Sequence, residues 1–320
     1  MTKPISRAFT VRAGGHRAWP LHHALHVCAF VATVAAPLSA QDVKYVPLVA
    51  QLPASIRSVA LGGAYLSSRD ASSLFANPTA AGVANGIEVD MSRFGAVATG
   101  ARAATSMSFG SRGLGLGISW LDYGAPDQGL GWQSLGVRGP VDGLSAMAVA
   151  AGSLTFKGVR VGGAAKLLQE RVANSHDATA GYDVGAAKDF GWLSTSVAVQ
   201  NIGPSIDVRS QPWKLPMRYT VNAFTQSAPV GPVDIALAST VSVRRDGFVS
   251  AGGGLEVVYA PLEGYSVSFR AGARRDEARS VNPAGLGATF SMDRFSIDYS
   301  YQDLRAPLRG GVHSMGIRVR

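Results

Sequence analysis

The chain is poor in cysteine, histidine, charge and long apolar runs. Its 320 residues hold one Cys, six His and 16% charged side chains. These scarce residues are unevenly placed. Residues 1–40 contain Cys28, His16, His22, His23, His26 and four cations (Lys3, Arg7, Arg12, Arg17), with no acid. Subtracting those four from the 30 basic residues leaves 26 Lys and Arg against 21 Asp and Glu in residues 41–320, together with only His176 and His313.

Each shortage excludes a class of function. A zinc site needs three or four ligands, and residues 41–320 lack the Cys and His for one. Disulfides and cysteine nucleophiles are excluded there too. Part of the basic excess that a nucleic-acid partner would require lies in residues 1–40. No Gly-x-Ser-x-Gly nucleophile elbow occurs. The run Gly113-Leu114-Gly115-Leu116-Gly117 lacks the spacing and the following helix of a dinucleotide-binding loop. No nucleophile motif accompanies His176 or His313. The sequence therefore assigns no catalytic, metal or cofactor-binding residue, implies no cofactor, and does not point to an enzyme.

The longest apolar run, Leu25 to Ala36, follows a basic segment and precedes Pro37-Leu38-Ser39-Ala40. That order reads as a secretory signal peptide over residues 1–40, cut before Gln41. Leu25-His26-Val27 before Cys28 is not a lipid-attachment box. Beyond Ala40 the longest nearly uncharged stretch, Leu144 to Phe156, is too short for a membrane helix.

What the chain has instead is glycine, 38 residues of it, and apolar side chains that alternate with period two. Phe295, Ile297, Tyr299 and Tyr301 alternate with Ser296, Asp298, Ser300 and Gln302. Tyr265, Val267, Phe269 and Ala271 alternate with Ser266, Ser268, Arg270 and Gly272. Successive side chains of a strand point to opposite faces, so these strands are apolar on one face and polar or small on the other. A soluble sandwich shares that alternation. The length of the strands, the isolated charges on their polar faces (Arg160, Lys166, Asp183, Lys188, Glu256, Arg270) and the alternation of short and long connections favour a transmembrane antiparallel β-barrel.

Fourteen strands are expected, with twelve as the alternative count: 86–98, 102–110, 113–123, 143–152, 157–171, 178–188, 191–201, 216–226, 230–243, 247–258, 263–272, 284–291, 294–302 and 311–319. Both chain ends then lie on the periplasmic side. Aromatic pairs near strand ends (Trp120 and Tyr123, Phe190 and Trp192, Trp213 and Tyr219, Tyr259 and Tyr265, Tyr299 and Tyr301) suit the interfacial girdles of such barrels.

The segment before the first strand is the most distinctive. It carries Arg57, Leu61-Gly62-Gly63-Ala64-Tyr65, Asp70-Ala71-Ser72, and Asn77-Pro78 followed by small residues and Gly82. Gly62-Gly63 permits close packing and positive φ. Pro78 pushes Asn77 towards extended geometry. Asp70 is placed to cap a short helix, Ala71 to Ala76. This segment resembles the N-terminal hatch of FadL-like outer-membrane proteins, most closely the PorV/PorQ family. Val197 to Gly203 with Leu215-Pro216, and Asp298 to Tyr301 with Gly311, His313 and Ser314, are similar to that family's later strands. The chain departs from the class in ending Arg318-Val319-Arg320 rather than on an aromatic residue.

The resemblance implies a barrel of about fourteen strands (86–320) plugged by a hatch (41–85), with the outer membrane as its location and outer-membrane lipid as a partner. It implies a component of type IX protein secretion, meeting secretion-machinery proteins or cargo through loops 124–142 and 202–215. The alternative it implies is passive transport of hydrophobic small molecules such as fatty acids, which leave through a gap in the wall. Such a gap is expected at the strand of Gly113, Gly115 and Gly117, or at its short neighbour 102–110.

Overall fold

A computed structural model describes residues 45–64, 70–95, 98–123, 143–208, 210–275, 281–304 and 310–320. Residues 1–40 and loop 124–142 lie outside the described residues. Seventeen strand segments follow one another along the chain. They are β1 (Gly86–Phe94), β2 (Ala98–Phe109), β3 (Arg112–Asp122), β4 (Gly143–Phe156), β5 (Val159–Val172) and β6 (Ser175–Asp189). Next come β7 (Leu193–Ile202), β8 (Ile206–Val208), β9 (Gln211–Trp213), β10 (Arg218–Thr225), β11 (Ala228–Val230) and β12 (Val233–Arg244). The chain closes with β13 (Val249–Leu262), β14 (Tyr265–Arg275), β15 (Val281–Met292), β16 (Phe295–Leu304) and β17 (Gly310–Val319).

Fourteen of them form one closed antiparallel barrel. The order runs β10-β7-β6-β5-β4-β3-β2-β1-β17-β16-β15-β14-β13-β12, and pairing of β12 with β10 closes the ring. Closure leaves no free edge, as a strand wall in lipid requires. Of the other three segments, β8 and β9 form a hairpin between β7 and β10, and β11 extends the turn before β12. The fourteen expected strands are all present, with ends displaced by a few residues.

The outer face of the wall is apolar. Ile87, Val89 and Met91 on β1, Leu114, Leu116 and Ile118 on β3, and Leu286 on β15 stand 49–68% exposed. Water would not tolerate so large a continuous apolar surface, whereas lipid solvates it. Outward charges sit at strand ends, as at Arg93, Arg112, Arg171 and Lys188. Lys188 was expected in the lumen. Asp183, on the same strand, does face inward, buried to 1%. A side chain five positions away must then face out, and the Lys188 ammonium lies 5.1 Å from the Phe190 ring.

The two ends of the barrel differ. Connections 110–111, 157–158, 263–264 and 293–294 are two-residue turns, and the chain terminus after β17 lies at that end. Connections 203–217, 245–248 and the segments leading to 124–142 lie at the other. In barrels of this class the short turns are periplasmic. Of the expected aromatic girdles, Trp120, Phe190, Trp192, Tyr219, Tyr259, Tyr265 and Tyr299 are exposed. Tyr123 and Trp213 are instead buried inside, in a cluster with Val46, Val172, Ile206, Val208 and Val312. Loop 202–215 therefore does not stand free: its hairpin turns inward and covers the mouth.

Candidate functional site

The lumen is occupied by the chain's own N-terminal segment. Its first described residues lie at the loop end, opposite the periplasmic side expected for the chain start; there Tyr45 bridges Lys214 and the Arg244 guanidinium stacks 4.5 Å from the Tyr45 ring. It passes through a 3₁₀ turn at Leu48–Gln51 and then a short helix, α1 (Ile56–Ala60). Further 3₁₀ turns at Ala71–Phe75 and Pro78–Gly82 deliver it to β1 at the turn end. α1 starts at a reciprocal cap, in which Ser55 Oγ accepts from the Ser58 amide and Ser58 Oγ accepts from the Ser55 amide.

Three anchors hold this hatch. The first is a closed ring of six charges. Arg57 reaches Glu256 at 2.7 Å and Asp70 at 3.7 Å. Glu256 pairs with Arg270, which lies 3.6 Å from Asp298. Asp298 pairs with Arg318 at 3.2 Å, and Arg318 returns to Asp70. Three guanidiniums and three carboxylates alternate around the ring. Two members belong to the hatch and four to β13, β14, β16 and β17. Charges removed from water require such pairing, since an unmatched one is severely destabilising. Asp70 is at the N-cap of its turn, as expected, yet its side chain makes no capping bond and serves the ring instead.

The second anchor is built on Asn77-Pro78. Asn77 is extended (φ −146°, ψ 112°), as Pro78 requires, and fully buried. Its Oδ1 accepts from the Thr79 amide at 3.1 Å and the Thr79 hydroxyl at 2.9 Å. Lys166 on β5 donates to the Phe75 carbonyl at 3.1 Å, to Asn201 Oδ1 at 3.0 Å, and pairs with Asp183 at 2.6 Å. Gln200 donates to the Ala76 carbonyl. The third anchor is at the loop end, where Glu170 accepts from the Leu48 amide at 3.1 Å and from the Tyr123 hydroxyl. Burial, then the adjacent Glu170 charge, pushes the Tyr123 hydroxyl pKa upward.

Glycines form the seat. A Cβ at Gly62, whose φ is +66°, would collide with the Ala273 carbonyl, and one at Gly63 (φ +80°) would meet Arg274 Cδ at 2.9 Å. On the wall, a Cβ at Gly287 would meet Ala60 Cβ at 2.6 Å, one at Gly316 would meet Ile56 Cδ1 at 2.8 Å, and one at Gly185 would meet Asn77 Oδ1 at 2.6 Å. Gly82 packs against Ser153 and Arg160. Gly113, Gly115 and Gly117 belong to the same seat: they face Ala81, Leu74 and Phe75. β3 pairs without a register shift with β2 and with β4 over Arg112–Asp122, so the wall has no gap there in this conformation. The pairing of β6 with β7 is less regular. It shifts register between Tyr182 and Val184, beside Asn201 at φ +57°, and the half of β6 before Tyr182 lies by β8, where the Asp207 amide donates to Asp177 Oδ2 at 2.7 Å.

Between hatch and wall lies a small cavity, open in part to solvent. Val49, Leu52 and Phe75 line it from the hatch; Arg102, Arg218 and Arg274 line it from the wall. The sequence pointed to the hatch residues but not to this cavity, whose wall residues come from β2, β3, β4, β7, β10, β12, β13 and β14. His313 is on the outer face near the loop end, its Nδ1 2.9 Å from the Tyr299 hydroxyl. Among the described residues no group of three metal-ligating side chains occurs.

No family model matches the chain, and no curated protein matches it. Solved structures do. A Pseudomonas aeruginosa FadL homologue superposes with a TM-score of 0.54 at 10% identity, covering 86% of this chain and 99% of that one. The Ralstonia pickettii toluene transporter TbuX gives 0.52 at 12% identity, covering 87% and 97%. The CymD monoaromatic hydrocarbon channel gives 0.55 at 8% identity, covering 82% and 94%. The fold of this chain is that of the FadL-like outer-membrane barrels.

Proposed function

We propose that the protein is a passive outer-membrane transporter of small, largely apolar molecules, closed at rest by its own hatch. One observation carries the reading: the lumen is filled by residues 45–64 and 70–84, leaving a lined cavity instead of an open water channel. Solved structures of the same fold are named as transporters of toluene and as a monoaromatic hydrocarbon channel. They support the transport alternative of the sequence reading over its secretion reading. The irregular β6–β7 seam is the favoured place for sideways release.

Toluene uptake tests this. The chain is expressed in a Gram-negative host that has lost its own uptake barrel. Faster toluene entry than in the empty host is expected, and equal entry sinks the proposal. The secretion reading retains the likeness of residues 54–86 to PorV/PorQ sequences. Affinity capture that recovers secretion components, with toluene entry unchanged, would favour it.

A further inference from the structure

We propose that the turn-end rim of the wall over β3 to β6 binds the head group of an acidic phospholipid of the periplasmic leaflet, through Arg112, Lys157 and Lys188. The inference goes beyond the transport reading and does not depend on it. Arg112 opens β3 and faces outward, Lys157 stands in the turn between β4 and β5, and Lys188 faces outward near the end of β6. Strand register sets them side by side. Arg112 is opposite Leu154 on β4, Phe156 is opposite Val159 across the turn that holds Lys157, and Val159 is opposite Lys188. Three strand spacings, about 15 Å, separate the strand of Arg112 from that of Lys188. The three cations therefore share one short arc of the rim.

Two features favour a lipid here. The first is unmatched charge. Among the described residues, Arg112, Lys157 and Lys188 form no ion pair, and the acid of the arc, Asp189, is occupied by Arg160 at 2.8 Å and by the Ser194 hydroxyl. The turns across the barrel mix signs instead, with Glu263 in one and Asp293 beside Arg294 in the other. The second feature is the apolar setting of the cations. The Lys157 ammonium lies 5.3 Å from the Phe156 ring and the Lys188 ammonium 5.1 Å from the Phe190 ring. Phe109, Leu154 and Trp192 stand exposed alongside. Acyl chains cover such rings, and aromatic side chains gather at the head-group level of a membrane. Basic clusters at that level attract anionic head groups, by about fivefold in affinity for each cation. A soluble anion would leave the rings in water. A zwitterionic lipid would bring a cation of its own to three cations already present.

The test uses the full chain, purified in a neutral detergent and offered dioleoyl phosphatidylglycerol and dioleoyl phosphatidylethanolamine in equal amounts. Native mass spectrometry counts the lipids that stay bound. Phosphatidylglycerol is expected to be retained about tenfold more than phosphatidylethanolamine. The triple variant Arg112→Gln, Lys157→Gln and Lys188→Gln should lose that preference, while Lys188→Arg keeps it. The double variant Arg93→Gln and Arg171→Gln removes outward cations at the loop end and should retain phosphatidylglycerol as the unaltered chain does. Heat-dependent migration on a gel shows which variants are folded. A folded triple variant that keeps the preference overturns the proposal. So does an equal loss in the loop-end variant, which would make the preference a matter of net charge alone. Displacement of the bound lipid by inorganic phosphate would overturn the assignment to a lipid.

Discussion

At the scale of single residues, the ring through Arg57, Glu256, Arg270, Asp298, Arg318 and Asp70 is the most informative feature. Asp70 is 1% exposed and stands between two guanidiniums. Asp70→Asn keeps its shape and removes its charge, leaving Arg57 and Arg318 poorly matched. Removing one partner of a buried pair costs about 3–5 kcal/mol. The temperature at which the compact barrel converts to its unfolded form on a gel should fall accordingly. The double variant with Arg318→Gln should be less destabilised than the sum of the singles, because the two act through one contact. Strict additivity would remove the ring from the account.

Asp246, in the turn between β12 and β13, gives a pH dependence at the same scale. Burial works to raise its pKa, but hydrogen bonds from Arg244 and the Phe248 amide outweigh it and hold the carboxyl below its usual value. Its stabilising contribution is therefore complete above the unfolded value of about 3.9 and disappears as pH falls through the lower folded value. Because Arg244 also stacks on Tyr45, acid should loosen the entry of the hatch. Exchange of the Phe248 amide, corrected for its intrinsic rate, is expected to accelerate on acidification through that range. Asp246→Asn should abolish the acid step.

At the scale of elements, the barrel strands were legible and their inner contacts were not. Period-two alternation fixes which residues share a face, and turn residues bound each strand, so β1 to β17 supply the fourteen expected staves. The purpose of a glycine depends on what lies opposite it, and that is a tertiary fact. Gly113, Gly115 and Gly117 read as a thin stretch of wall, yet they are the floor on which Leu74, Phe75 and Ala81 rest. The misplacement of Lys188 was avoidable: its odd separation from Asp183 forbids a shared face. The ending Arg318-Val319-Arg320 read only as a departure from an aromatic terminus, and only the folded barrel brings Arg318 to Asp70. The seat makes its own prediction. Gly185→Val drives two methyl groups towards Asn77 and should unseat the second anchor, an overpacking penalty of about 1–3 kcal/mol. Gly152→Ala, with its nearest neighbour at 3.9 Å, should be neutral. In planar bilayers the first variant is expected to show conductance bursts that the second lacks; identical traces would remove the glycine seat as the reason the hatch stays closed.

At the scale of the whole molecule, wall and hatch have separable sources of stability. The wall is a hydrogen-bonded ring of fourteen strands whose outer face is solvated by lipid, and none of its ladder bonds involves the hatch. The hatch depends on the wall for its anchors: Glu256, Arg270, Asp298 and Arg318 on one side, Lys166 and Gln200 on another, Glu170 at the mouth. Deleting residues 45–84 should therefore leave a barrel that still inserts and still migrates differently when heated. It removes Arg57 and Asp70 together, so the wall keeps two cations, Arg270 and Arg318, against two acids, Glu256 and Asp298. That balance is why the deletion should disturb the wall less than Asp70→Asn disturbs the intact protein. The emptied lumen should conduct ions continuously, where the intact chain is closed. A deletion variant that fails to insert would show instead that the hatch is part of the wall's own folding core.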